Sequence, residues 1–125
     1  SEYILKKSKE KIATRRKKGI RLRIENMIYN ADEVYLGIEI KNNSGINFEV
    51  DYLTVFKANG NKKRKSSYQK IELFPIYKHR FPKVVRNGKT DRFVLVLPKF
   101  TLGDNESLLL ELRELKGSRK VVLKN

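Results

Sequence analysis

Apolar and polar residues alternate with a period of two along much of the chain, and this pattern constrains the fold most strongly. Ile20, Leu22 and Ile24 are separated by charged residues, and residues 34–41 repeat the alternation. Such alternation is typical of strands that bury one face. The short polar segment at residues 30–32 lies between the two stretches, so together they predict a β-hairpin.

Further strand patterns follow at short intervals. The run from Phe48 to Lys57 is apolar on both faces, which favours a central position in a sheet. Residues 68–77 predict another strand, and Pro75 within it favours a sheet edge or a bulge. The remaining predicted strands are residues 93–97, 107–115 and 119–123. About seven short strands separated by regular turns predict a mostly β fold, an immunoglobulin-like β-sandwich.

The first 18 residues differ from the rest of the chain. They contain no glycine or proline, and Ile4, Leu5 and Ile12 fall on one side of a helix. This narrow apolar stripe predicts a basic N-terminal helix with Gly19 as its cap. We therefore expect a basic connector helix over residues 1–19 and a β-sandwich domain over residues 20–125. Whether the helix packs on the sandwich stays open at this point.

Neither a membrane span nor a secretion signal is predicted within the chain. No apolar run approaches the length of a transmembrane helix. The basic N-terminus is not followed by the apolar core of a signal peptide. Cysteine is absent, so disulfides and cysteine-based zinc sites are excluded.

Three short motifs stand in a fixed order along the chain. They read NNSGINFEVD at residues 42–51, ELFPIY at residues 72–77 and LPKFT at residues 97–101. In this order and spacing they resemble the TraN family of conjugative transposons from Bacteroides-type bacteria, specifically its C-terminal domain. The resemblance covers roughly residues 3–119. It implies a periplasmic or outer-membrane-associated, non-enzymatic component of a conjugative (type IV secretion-like) DNA-transfer apparatus, in contact with other subunits.

The sequence offers no convincing set of catalytic or metal-binding residues. The single histidine, His79, lies between Lys78 and Arg80, which disfavours a bound cation, so a surface role is expected. Glu49 and Asp51 share one strand face by alternation and are expected to be solvated. We therefore expect no catalytic residue, no metal, no cofactor and no small-molecule substrate.

Basic residues are the strongest binding candidates, because the formal net charge is +15. Such a charge attracts nucleic acid, anionic lipid or acidic protein surfaces. The candidates form three clusters: Lys6, Lys7, Lys9, Lys11, Arg15, Arg16, Lys17 and Lys18; Lys62, Lys63, Arg64 and Lys65; and Lys78, Arg80, Lys83, Arg86 and Lys89.

The basic clusters leave two functions open. They could contact a protein partner, or they could bind nucleic acid without sequence preference through phosphate contacts. Tyr77 and Phe81, which lie among the third cluster, could stack on exposed bases. The sequence alone therefore predicts a protein-binding structural component, with a nonspecific nucleic-acid-binding module as the alternative.

Overall fold

The computed structural model describes residues 13–59 and 69–125. These residues form a mostly β fold with ten strands and no helix. The strands are β1 (Ala13–Lys17), β2 (Ile20–Asn30), β3 (Glu33–Asn42), β4 (Phe48–Asn59), β5 (Gln69–Leu73), β6 (Tyr77–His79), β7 (Val84–Val85), β8 (Thr90–Pro98), β9 (Glu106–Glu114) and β10 (Lys120–Lys124).

The strands are arranged in two antiparallel sheets. The first sheet has the order β1-β2-β3-β8-β6, and the second has the order β10-β9-β4-β5, with β7 paired to β4. The predicted hairpin is confirmed, because β2 and β3 pair from Ile20 with Asn42 to Asn30 with Glu33. The predicted central position of the strand that begins at Phe48 is also confirmed, since β4 lies between β9 and β5.

Side chains from both sheets meet in one hydrophobic core. The alternating residues Ile20, Leu22 and Ile24 of β2 are fully buried, as are Leu108 and Leu110 of β9. Burying an aliphatic side chain of this size contributes about 1.5–3 kcal/mol relative to leaving it exposed. The apolar residues at alternate positions of the strands therefore form the core.

The prediction of a helix over residues 1–19 is wrong for residues 13–19, the part of it that the structure describes. Residues 13–17 form β1, which pairs with β2 from Ala13 with Ile24 to Lys17 with Ile20. Lys18 and Gly19 have φ angles of 50° and 83°, so Gly19 belongs to a hairpin turn instead of a helix cap. Pairing with the neighbouring strand outweighs the helical preference of the lysines and arginines. The remainder of the predicted helix, residues 1–12, lies outside the described residues.

The single strand predicted for residues 68–77 is two strands in different sheets. β5 is the last strand of the second sheet and β6 is the last strand of the first, with Pro75 between them. The predicted edge position is therefore confirmed for both strands, although the division between sheets was not predicted. Within the two described ranges, no helix is long and apolar enough to cross a membrane.

Candidate interaction surface

Residues 71–77, which run from β5 to the start of β6, expose an unusual amount of apolar surface. Ile71, Phe74, Ile76 and Tyr77 have relative exposures of 55%, 67%, 57% and 58%. Among the described residues, these four are the majority of the seven large hydrophobic side chains that are exposed. We call these four residues the edge strip. Exposed large apolar side chains concentrated in one short segment are typical of a binding surface.

Pro75 and its neighbours explain why the edge strip takes this position. β5 ends at Leu73, where it pairs with Val55 of the second sheet. Pro75 has no backbone N–H and a fixed φ, so it cannot extend the β5 ladder. The backbone N–H of Ile76 then donates to the carbonyl of Val96 at 2.7 Å, which fixes the chain onto the first sheet. The segment is thus anchored at both ends while its side chains face outward.

Both strands beside the edge strip have one unpaired side. β5 pairs only with β4, and β6 pairs only with β8, among the strands of the described residues. Their outward N–H and C=O groups are available to a strand from another chain. The apolar side chains and the free backbone groups therefore lie on the same side of the fold.

A groove of about 460 Å³ lies beside the edge strip on the outer face of the first sheet. We call it the outer groove. Its lining residues are Glu33, Tyr35, Ile76, Tyr77, His79, Val94 and Val96. Strand register accounts for the lining, because Val96 pairs with Tyr35 on one side and with Tyr77 on the other. Val96 is 8% exposed and forms an apolar floor between the two tyrosines.

A charged row crosses the same outer face next to the groove. The carboxylate of Glu39 is 1% exposed, accepts a hydrogen bond from Arg21, and lies 2.9 Å from Nη2 of Arg92. Nη1 of Arg23 lies 3.9 Å from Oε1 of the same carboxylate. Burial alone would raise the pKa of Glu39, but the hydrogen bond and positive charge of Arg21, with Arg92 and Arg23, lower it overall. Glu39 therefore stays ionised and holds three arginines in place.

Sequence reasoning did not single out this charged row. The signal that could have found it is Glu39 at the centre of a strand that neighbouring strands pair on both sides, with arginines at positions 21, 23 and 92 as possible partners. A carboxylate at such a position needs cationic partners, because an unpaired buried charge is strongly unfavourable. The register pairs Glu39 with Arg23 and Arg92 on the two neighbouring strands.

Parts of two predicted basic clusters come together at one end of the fold. The backbone N–H of Asn43 donates to the carbonyl of Gly19 at 2.8 Å, which joins the β1–β2 turn to the loop after β3. The N–H of Gly88 donates to the carbonyl of Asn42 at 2.7 Å, which adds the turn before β8. These contacts place Lys17, Lys18, Arg86 and Lys89 on the same end.

A fourth turn, between β9 and β10, lies at this end as well. Nη1 of Arg119 donates to the hydroxyl of Ser44 at 2.7 Å, which ties that turn to the loop after β3. Lys116 in the same turn is exposed. We call the exposed residues Lys17, Lys18, Arg86, Lys89 and Lys116 the basic end.

The other predicted basic residues are placed elsewhere or are not described. Arg15 and Arg16 are exposed on β1, and Arg80 and Lys83 are exposed in the segment after β6. Nζ of Lys78 lies 5.0 Å from the ring centroid of Phe81. Lys6, Lys7, Lys9, Lys11, Lys62, Lys63, Arg64 and Lys65 lie outside the described residues.

A buried polar network holds the loops of the basic end. The side chain of Asn42 is fully buried, and its Nδ2 donates to the carbonyls of Ile46 and Val85, both at 2.8 Å. Its Oδ1 accepts from the backbone N–H of Ser44 at 2.9 Å and from the Ser44 hydroxyl at 2.7 Å. The first residue of the NNSGINFEVD motif is therefore a structural element of the loop.

Arg119 completes this network, although the sequence analysis did not single it out. Its guanidinium lies 4.9 Å from the ring centroid of Phe48 and donates to both carboxylate oxygens of Glu114, at 2.9 and 2.7 Å. The hydrogen bond from Arg119 lowers the pKa of Glu114. Paired arginine–carboxylate contacts of this kind fix geometry as well as charge.

The residues considered for catalysis occupy ordinary surface positions. Glu49 and Asp51 are exposed on β4, in agreement with the sequence expectation. His79 is exposed and lines the outer groove, with its ring centroid 6.2 Å from that of Tyr77. Over residues 13–59 and 69–125, no three His, Cys, Asp or Glu side chains form a group that could hold a metal ion.

Comparison with known protein families identifies a family for nearly the whole chain. A family model described as "Domain of unknown function (DUF4138)" matches residues 2–125. No curated protein and no solved structure matches the chain significantly.

Proposed function

The chain belongs to the DUF4138 family, and we propose that it is a non-enzymatic structural component of a conjugative DNA-transfer apparatus. It acts through protein–protein contacts made at the edge strip. The observation that carries the proposal is the exposure of Ile71, Phe74, Ile76 and Tyr77 between two unpaired strand edges. The link to conjugation, and a periplasmic or outer-membrane-associated position, come from the resemblance of three motifs to the TraN family.

The edge strip can supply a substantial part of the binding energy of a specific complex. Its four side chains are each more than half exposed. Covering what remains exposed would contribute about 5 kcal/mol, at about 1.5–3 kcal/mol for a fully buried side chain of this size. A micromolar complex requires about 8 kcal/mol after the costs of association. Backbone pairing along β5 or β6 would add to the apolar contribution.

A paired-variant experiment tests the proposed function. Cells that carry the whole transfer element receive the full-length protein with Ile76→Ser and Tyr77→Ser. The matched control carries Ile46→Ser and Tyr29→Ser, which remove an exposed isoleucine and an exposed tyrosine away from the strip. Transfer frequency should fall by about tenfold or more in the strip variant, as expected for the loss of two central contacts.

Two further measurements make this result decisive. Immunoblotting should show equal protein levels in both variants, because the four substituted side chains are exposed. The control variant should transfer DNA at the wild-type frequency. Equal transfer by the strip variant, the control and the wild type would contradict the proposed role of the edge strip.

We also propose that the two sheets form an immunoglobulin-like sandwich. The proposal is supported by the single core that both sheets share and by the antiparallel pairing of the strands. An experimental structure superposed on immunoglobulin domains tests it. A strand order that cannot be superposed would leave only the coarser description of two antiparallel sheets.

The basic end favours a second candidate function, nonspecific binding of nucleic acid. Its five exposed cations come from three separate turns that backbone and side-chain hydrogen bonds hold together. Phosphate contacts need only cations in suitable positions, so five of them would give a log–log salt slope of about −4.5 on duplex DNA.

A salt series measured by fluorescence anisotropy tests this second candidate. Replacing Lys17, Lys18, Arg86 and Lys89 by glutamine should make the slope shallower by about 3.6, since each phosphate contact contributes about 0.9. An unchanged slope would exclude the basic end as the DNA-binding surface. Binding that disappears at physiological salt in the wild type would leave the protein-contact function alone.

A further inference from the structure

We infer that the outer groove and the free edge of β6 together form the docking site for an extended, acidic segment of a partner protein, which packs an apolar side chain against Tyr77 at the rim of the groove. This inference rests on the proposed function and specifies the chemistry of the partner. It joins three features of β6 and its surroundings: the apolar groove on its outer face, its free edge, and the positive charge of Lys78 and Arg80.

The groove, with a volume of about 460 Å³, has room for more than one side chain. Tyr35 on β3 and Tyr77 on β6 are separated by Val96 on β8, so their backbones are two strand spacings, or about 10 Å, apart. Both tyrosines and the nearly buried Val96 line the groove. A strand added beside β6 would lie about 5 Å beyond Tyr77, so an aromatic or branched aliphatic side chain on its groove-facing side would pack against Tyr77. Aromatic side chains that become buried on binding often dominate the energetics of protein interfaces.

The free edge of β6 indicates that the docked segment is extended. β6 pairs with β8 through Tyr77, Lys78 and His79, and no described strand lies on its other side. A strand added there would pair with the unused backbone groups of β6. Its side chains would alternate between the two faces, so every second one would point to the face that carries the outer groove.

The charge around the groove indicates that the segment is acidic. Lys78 and Arg80 are exposed, and neither forms an ion pair with another described residue. The groove itself contains one carboxylate, Glu33, which accepts a hydrogen bond from the hydroxyl of Tyr35 at 3.1 Å. With a net charge of +15, two copies of the chain repel each other. Aspartates or glutamates on either side of the apolar centre of the segment would pair with Lys78 and Arg80.

Defined peptides test the inference with the whole protein. The probe is a fluorescein-labelled nine-residue peptide with three glutamates on each side of a Val-Phe-Val centre. One control peptide replaces the glutamates by lysine, and a second replaces the Val-Phe-Val centre by serines. Fluorescence anisotropy should show binding of the acidic apolar peptide at least about tenfold tighter than either control, because each control removes one contributing interaction.

Protein variants locate the peptide. The variant with Ile76→Ser and Tyr77→Ser should bind the acidic apolar peptide about tenfold more weakly or worse, because both groove-lining side chains are truncated. The control variant with Ile46→Ser and Tyr29→Ser should bind like the wild type. Equal binding of the serine-centred peptide, or equal binding by the two variants, would overturn the inference in favour of simple charge attraction.

The outcomes separate this inference from the proposed function. If the strip variant loses DNA transfer while no peptide binds the wild type, the inference is wrong and the proposed function stands. If peptides bind the groove but the strip variant transfers normally, the groove binds an acidic segment outside conjugation. Sedimentation of the wild type as a dimer that the strip variant abolishes would make the occupant a second copy and overturn the acidic-partner inference.

Discussion

Asn42 should be essential to the stability of the fold, and its replacement by alanine tests how the loops of the basic end are held. The Asn42 amide is fully buried and makes hydrogen bonds to Ile46, Val85 and Ser44. Asn42→Ala removes all of these hydrogen bonds at once. It leaves the backbone in place, since the main-chain N–H of Asn42 still donates to the carbonyl of Lys89.

The magnitude follows from the groups that lose a partner. The hydrogen bond to the carbonyl of Val85 is buried at both ends, so water cannot replace it easily. A buried group left without a partner costs about 1–3 kcal/mol. The partners at Ile46 and Ser44 are partly accessible to water and add less. We expect Asn42→Ala to lower the free energy of unfolding by about 3 kcal/mol, which corresponds to roughly 10 °C in Tm for a domain of this size.

Asn43 provides the matched control, because it is the next residue of the same loop and is exposed. Asn43→Ala should change the free energy of unfolding by less than about 0.5 kcal/mol. Urea and thermal unfolding followed by circular dichroism measure both variants. If Asn42→Ala proved as stable as Asn43→Ala, the buried network would not hold these loops and the reasoning would be refuted.

Two further predictions concern the charged row and the first turn. The pKa of Glu39 is lowered in the fold, so its contribution is present above the unfolded pKa and is lost as pH falls through the folded pKa. Glu39→Gln should therefore cost about 2 kcal/mol near neutral pH, where it loses a charged hydrogen bond to Arg21. Urea midpoints should show the deficit shrinking toward acidic pH, and a deficit independent of pH would contradict the assignment. Gly19 and Gly88 both have a φ of 83°, but a Cβ on Gly19 would lie 2.6 Å from Cα of Ser44, whereas one on Gly88 meets nothing within 4 Å. Gly19→Ala should thus be at least about 1 kcal/mol more destabilising than Gly88→Ala, since only the former adds a backbone clash to the cost of positive φ; equal unfolding midpoints for the two variants would contradict this.

The strands that sequence predicts well are those whose own residues carry the burial pattern. Ile20, Leu22 and Ile24 alternate because one face of β2 is buried, and the same holds for β3. The hairpin between β2 and β3 follows from these two patterns and a short polar turn. Local alternation is sufficient for β3 and for β2 up to Ile24, where the register shifts before Asn26.

β1 could not be predicted in the same way. Its five residues include one apolar side chain, the half-buried Ala13, so no alternation marks a strand. The strand exists because the turn at Lys18 and Gly19, both with positive φ, returns the chain alongside β2. A two-residue turn with positive φ at both positions favours asparagine or aspartate before glycine, so Lys18-Gly19 carries only part of the hairpin signal. A glycine after a run of lysines and arginines is equally typical of the end of a helix.

The sequence predicts only part of the candidate interaction surface. Pro75 correctly indicates an edge, but the sequence cannot show that the chain changes sheets there. Which apolar residues stay exposed depends on that change, because it leaves Phe74 and Ile76 outside both ladders. The sequence could not predict the basic end either, because contacts between turns distant in sequence bring Lys18 and Lys89 together.

Site-specific photo-crosslinking tests the central claim most directly, that another protein docks on the edge strip. p-Benzoylphenylalanine replaces Phe74, which is 67% exposed within the strip, or Ile46, which is 62% exposed and lies outside it. Both full-length proteins are irradiated in cells that carry the whole transfer element, and the products are identified by mass spectrometry. The account predicts a crosslink from position 74, and none from position 46, to a subunit encoded by the same element. Crosslinks of equal yield from both positions, or crosslinks from position 74 to nucleic acid alone, would contradict it.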